Sequence, residues 1–253
     1  MIKTILNSPY YNSIRFNALV DWMADLYSGF IKRNLAFYQS FLQQDASNRL
    51  VFDIGANKGH KVKVFCKMGF NVIAVDPEPK CLETLHFRFA NDKQVTIVPM
   101  GVSDKPGTLE LNIYHGRSGL NTFSNKWTQQ GANIAEKKVS VPVTTLDDLM
   151  KQYGVPYFIK IDVEGYEWNV IKGMTQAPEY LSFEANFPEF ISETQAIINH
   201  LQKQYADVAF NYSIYDKLEA QNWINAEEML TLIASNQYSY MEIVCKITAT
   251  IEN

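Results

Sequence analysis

The densest chemistry in the sequence lies in Lys160-Ile161-Asp162-Val163-Glu164-Gly165, where an amine and two carboxylates alternate behind the apolar run Tyr157-Phe158-Ile159. Side chains alternate along an extended chain, so Lys160, Asp162 and Glu164 share one face for as long as the strand continues. Such a set suits proton transfer: one acid raises the pKa of its neighbour, and the amine lowers it again or orients a substrate oxygen. A second concentration is Asp53-Ile54-Gly55-Ala56-Asn57-Lys58-Gly59, followed about twenty residues later by Asp76, the layout of a nucleotide half-site. Further on, Glu184 and Asn186 stand at the end of the apolar stretch Leu181 to Phe187.

The turn is spelled GxNxG rather than GxGxxG. A pyrophosphate-binding turn needs glycines so that its backbone can close on phosphate oxygens. Asp53 would repel a pyrophosphate but suits a cationic amino group, such as the one at the amino-acid end of S-adenosylmethionine. Asp76 would then accept hydrogen bonds from ribose hydroxyls. An NAD-dependent oxidoreductase shares the strand, turn and ribose acid, and Asn57 and Asp53 argue against it. A non-catalytic interaction module that keeps the cofactor fold is the other alternative, opposed by the acids at Asp162 and Glu164.

These groups need strands that end together. Leu50 to Ile54 is a short apolar strand pattern, Val62, Phe65, Cys66 and Met68 recur at helical spacing, and Gly69 stands where a left-handed cap ends a helix. Val72 to Val75 is the next strand and delivers Asp76. Pro77 and Pro79 open a helix at about Lys80, and Val95 to Val98 is a third strand, whose end at Gly101 and Val102 is expected beside a bound base. Leu109 to Ile113 alternates as a half-exposed hairpin strand. From Tyr114 to about Lys137 the chain lacks apolar periodicity, and Arg117, Ser118, Asn121 and Thr122 are candidate substrate contacts there. Val139 to Val143 is a strand, Thr144 to Leu149 opens a capped helix, and a short helix follows Gly165. Ile191 to Gln204, Val208 to Ile214, Glu227 to Ala234 and Ser239 to Ile247 read as helix, strand, helix and strand. Strands alternating with helices predict one α/β domain. Ahead of it, apolar residues from Leu19 to Leu42 keep a helical period, so residues 1–47 are expected to form a helical segment serving as a cap, lid or dimer contact.

Composition narrows the partners. A chain of 253 residues with 47% hydrophobic residues can bury a sizeable core, and a net charge of -4 with scattered basic residues lacks a nucleic-acid footprint. Three separated cysteines fit neither a disulfide framework nor a zinc site. No stretch reads as a signal peptide or a membrane span, so a cytoplasmic location is expected.

In this order, VFDIGANKG, AVDPEP, VTTLDDL, FIKIDVEGYEWNVIKG and LSFEANFP resemble the FkbM family of S-adenosylmethionine-dependent methyltransferases, over roughly Leu50 to Pro188. The resemblance implies the class I methyltransferase fold, a Rossmann-like three-layer sandwich whose seven-stranded, mostly parallel sheet takes its last strand antiparallel. It places the cofactor domain at 48–253 and implies O-methylation of a hydroxyl on a sugar or other small metabolite. Carried onto this chain, it assigns Asp53, Gly55, Ala56, Asn57 and Gly59 to the methionine part of the cofactor, and Asp76 with Pro77 to the ribose. Gly101 and Val102 fall to the adenine, and Lys160, Asp162 and Glu164 to the transferring methyl, Asp162 also touching the cofactor. Glu184 and Asn186 join the substrate contacts. A magnesium ion on Asp162, Glu184 and Asn186 is a metal-assisted alternative.

Overall fold

The strand after the glycine turn and the strand carrying Lys160 are neighbours of one central strand, and the sheet grows from that pairing. In the computed structural model, residues 29–43, 45–114, 118–126 and 137–250 are described. The stretch Leu19 to Leu42 is therefore seen only from Gly29 onward, and Arg117 lies outside the described residues.

Helix α1 (Phe30–Gln39) precedes β1 (Leu50–Ile54), α2 (His60–Lys67), β2 (Asn71–Val75), α3 (Pro79–Phe89) and β3 (Val95–Val98). Then come β4 (Gly101–Val102), β5 (Gly107–Ile113) and β6 (Lys137–Thr144). The chain continues through α4 (Leu146–Tyr153), β7 (Phe158–Ile161), α5 (Glu167–Ile171) and β8 (Tyr180–Asn186). It closes with α6 (Ile191–Gln204), β9 (Tyr205–Ser213), α7 (Ala226–Ala234) and β10 (Tyr240–Thr250). Local chemistry sets the boundaries. Pro79 opens α3 behind the Glu78 side chain, which caps Cys81 N–H, and Thr145 caps α4 on Asp148 N–H. Gly69, at φ 79°, ends α2 in the left-handed region.

The main sheet has seven strands in the order β3-β2-β1-β7-β8-β10-β9. β3 to β8 pair in parallel, and β10 enters antiparallel to both β8 and β9. This is the class I methyltransferase sheet, with the chain's last strand inserted between its two predecessors. Helices α1 to α3 cover one face, burying Tyr38, Phe65 and Leu85, and α4 to α7 cover the other with Leu149, Ile171, Ile198 and Met229. Two departures from expectation concern the insertion before β7. β4, β5 and β6 form a separate three-stranded sheet, in which β5 pairs antiparallel with β6 across the long excursion. The other partner of β6 is β4, so Gly101 and Val102 form a strand of the small sheet rather than the end of the third strand. Alternation in Leu109 to Ile113 shows a half-buried strand but carries no information about which distant strand it joins.

Candidate active site

Gly55 turns the chain out of β1 at φ 82°, its N–H and that of Ala56 both donating to the Val75 carbonyl at 2.9 and 3.0 Å. A side chain here would place its Cβ 1.8 Å from the Asp162 carbonyl, so only glycine lets β1 and the end of β7 come together. Asn57 also adopts a positive φ, 48°, which asparagine tolerates better than most residues. Its N–H donates to Asp76 Oδ2 at 2.8 Å, and its side-chain oxygen accepts from Cys81 Sγ at 3.3 Å. The other Asp76 oxygen accepts the Glu78 N–H at 2.8 Å. Burial nevertheless prevails over these bonds and pushes the Asp76 carboxyl up to about 7.

The register of the sheet explains how the polar groups gather. Asp53 pairs with Lys160 and Lys160 with Ser182, each two residues beyond the aligned apolar row Val51, Phe158 and Tyr180 that packs beneath α1. The apolar half of each strand builds the core and the next residue on the same face turns polar at the carboxyl edge. Lys160 is 1% exposed and its Nζ lies 2.6 Å from Asp162 Oδ2. Burial alone would push its ammonium down, but Asp162, Glu184, Glu242 and Asp53 together hold it well above the ordinary lysine value. Asp53 is 1% exposed, its carboxyl pushed up to about 6 by burial against the pull of Lys160. Its Oδ2 is buried without a hydrogen-bond partner among the described residues.

The extended chain expected through Glu164 stops short. β7 ends at Ile161, and Glu164 sits at φ 54° in a turn held by Glu167, whose Oε1 accepts the N–H groups of Val163 and Gly165 at 3.2 and 3.1 Å. Glu164 therefore reaches the site by the curl of this turn, not by strand alternation. Carboxylate oxygens of Asp162, Glu164 and Glu184 come within 4.8 Å of one another. Two of these acids, Asp162 and Glu184, belong to the metal set expected from the sequence, and Glu164 joins them. Glu184 accepts from the Tyr240 hydroxyl at 3.1 Å. Burial and the neighbouring carboxylates raise both Glu164 and Glu184.

Two lobes of one cleft open at this edge. The first is lined by Asp76, Pro77, Gly101, Val102, Asn121 and Glu164, and the second by Asp53, Ala56, Lys58, Lys61, Lys160 and Phe30. Gly55, Asn57 and Asp162 line both. Gly59 is buried behind the turn, where α2 begins. Asn121 stands on the wall of the first lobe, its Oδ1 accepting the Tyr114 N–H at 2.9 Å, and Ser118 begins a short helical turn in the same segment.

Sequence reasoning missed Glu167, Tyr240, Glu242, Phe30 and Phe123. Glu242, an acid in an apolar strand, was the one with a visible signal. It is 5% exposed and accepts from Ser182 Oγ at 2.7 Å and the Tyr38 hydroxyl at 3.5 Å.

The family model described as the methyltransferase FkbM domain matches residues 53–238. Hexuronic acid methyltransferase AglP of Haloferax volcanii is 25% identical over 148 residues, covering 56% of this chain and 56% of that protein. Methyltransferase sdnD of Sordaria araneosa is 29% identical over 161 residues, covering 51% of this chain and 62% of that protein. The chain thus spans less than two thirds of either relative. Among solved structures, a TehB-like SAM-dependent methyltransferase from Corynebacterium glutamicum aligns with a TM-score of 0.48 at 10% identity, over 92% of this chain and 97% of that one. Among the described residues, no helix is long and apolar enough to cross a membrane.

Proposed function

Because the chain belongs to the FkbM methyltransferase family, we propose that it moves the methyl group of S-adenosylmethionine to a hydroxyl of a sugar or other small metabolite. The observation that carries this reading is the two-lobed cleft, with the buried, unpartnered oxygen of Asp53 in one lobe and Asp76 in the other. The residues present fit the cofactor. Asp53 is an unsatisfied acceptor for its ammonium. Asp76 keeps a lone pair on each oxygen, after its two backbone bonds, for the ribose hydroxyls. The start of α2 offers N–H groups to its carboxylate.

When bound, the cofactor supplies a methyl carbon on a positively charged sulfur, which a nucleophile displaces in line. The chain must hold an acceptor oxygen about 3 Å from that carbon and take its proton. Lys160 occupies Asp162, so the carboxylates of Glu164 and Glu184 are the ones placed to accept it. Pinning of the Val163–Gly165 turn by Glu167 keeps Glu164 there. The similarity to AglP, a hexuronic acid methyltransferase, supports an acceptor of the sugar class.

Calorimetric titration with S-adenosylmethionine, S-adenosylhomocysteine and NAD in parallel tests the cofactor; binding of the first two alone is expected, and binding of NAD alone overturns the reading. With a labelled methyl donor and hydroxylated acceptors, Glu164→Ala and Glu184→Ala are each expected to lower turnover about 100-fold or more. Their affinity for S-adenosylhomocysteine should stay within several-fold. Unchanged turnover in both variants would sink the assignment. Turnover that survives a strong chelator separates this proton transfer from a metal-assisted one.

A further inference from the structure

The segment from Ser118 to Lys126 leaves the small sheet and crosses the first lobe of the cleft. It is tied down at its centre. Thr122 exchanges backbone hydrogen bonds with Asn112 of β5 at 3.0 and 3.2 Å, and its hydroxyl donates to the Val163 carbonyl at 3.2 Å. The Asn112 side chain, 1% exposed, donates to the Ser124 carbonyl at 3.3 Å. Lys126 closes the far end, pairing with Glu193 and donating to the Glu189 carbonyl at 3.2 Å.

Phe123 sits between these ties and lines the lobe together with Pro77 and Val102. Its ring rests on Gly101, where an added Cβ would come within 2.6 Å of Phe123 Cζ. On another side it meets the Tyr166 ring edge-on at 5.4 Å, and the Tyr166 hydroxyl lies 3.1 Å from Ser103 Oγ. The ring is therefore braced by a glycine, a fixed tyrosine and an anchored backbone, yet it is only half-buried. An aromatic group held rigid with part of its surface facing an apolar slot is suited to a flat ligand, because its orientation is fixed before the ligand arrives.

Resting on the cofactor reading above, we propose that Phe123 is a cofactor-binding residue whose ring walls the slot that receives the purine base. The same tie through Thr122 joins this wall to the turn that carries Glu164, so the inserted sheet completes the cofactor cleft instead of merely decorating it. No motif in the sequence marks Phe123, since the contact is made by a segment whose position depends on the sheet it leaves.

The test is calorimetric titration of S-adenosylhomocysteine into the unmodified protein and into Phe123→Ala, Phe123→Leu and Phe123→Tyr, each checked by thermal melting without ligand. Phe123→Ala and Phe123→Leu are expected to weaken binding about tenfold or more, the scale on which stacking under a base is lost. Phe123→Tyr, which keeps the ring, should stay within about threefold. Leucine or alanine variants that melt normally and bind like the unmodified protein overturn the proposal. Failure of the unmodified protein to bind strikes the cofactor reading of the cleft, and the proposal falls with it.

Discussion

Asp53 and Asp76 are carboxyls that folding takes out of water before any ligand arrives. Burial pushes them from 3.8 up to about 6 and about 7. Because the folded values lie above the unfolded ones, the folded state binds more protons in between. Their stabilising contribution is full below about pH 4 and is lost as pH rises through about 6 and 7. The melting temperature of the ligand-free protein should therefore fall between pH 5 and pH 8, and Asp53→Asn should flatten that fall. A melting temperature that holds or rises across the window would contradict the account. The type and place of both acids were legible in the sequence, one before the glycine turn and one at the next strand end. That Asp53 keeps an unpartnered oxygen was not legible, since it depends on what surrounds the carboxyl on every side.

At the scale of the element, the β1 turn shows how little freedom the site has. Gly55→Ala would force a residue with φ 82° to carry a Cβ that meets the Asp162 carbonyl at 1.8 Å. Neither strain nor clash can be relieved without parting β1 from β7. The expected loss is about 3 kcal/mol or more, read from urea unfolding, with S-adenosylhomocysteine binding abolished. A variant that unfolds at the same urea concentration would show that the turn tolerates a side chain. The strand after Phe158 gives the opposite lesson. Spacing correctly marked Lys160 and Asp162 as neighbours on one face, which the 2.6 Å ion pair shows. For Glu164 the spacing argument fails, because Glu167 draws the backbone into a turn through two N–H bonds. A carboxylate three residues downstream can reverse the chain, and alternation does not register it.

For the molecule as a whole, α1 belongs to the core beneath the site. Phe37, Tyr38, Phe41 and Leu42 are buried against Phe65, Phe158 and Tyr180, and the Tyr38 ring meets those of Phe65 and Phe158 at 4.8 and 5.7 Å. Its hydroxyl reaches Glu242 on β10, so elements from both ends of the described chain meet under Lys160 and Glu184. Tyr38 and Glu242 both lie outside the span 53–238 that the family model matches. Removing residues 1–47 would expose that face of the sheet, and the truncated chain is expected to lose cooperative unfolding. Retention of a sharp transition and of S-adenosylhomocysteine binding would instead mark the segment as a dispensable cap. The milder Tyr38→Ala is expected to cost about 3–5 kcal/mol in urea unfolding, as for other large aromatic side chains removed from cores.

Read alone, the sequence determined the alternation of strands and helices, the glycine turn and the strand-end acids, because each is written in short-range terms: periodicity, turn chemistry and residues that follow one another; the class I sheet was expected only through the family resemblance. Only the tertiary structure decided which carboxylates meet. Glu184 joins Asp162 and Glu164 because β8 lies beside β7, and Tyr240 reaches it because the last strand is threaded between its predecessors. Phe30, Phe123 and Glu242 likewise enter the site or its floor from segments distant in sequence. Their positions follow from long-range packing, in which strand order and crossing loops are chosen by the burial of whole faces, and no local pattern encodes that choice.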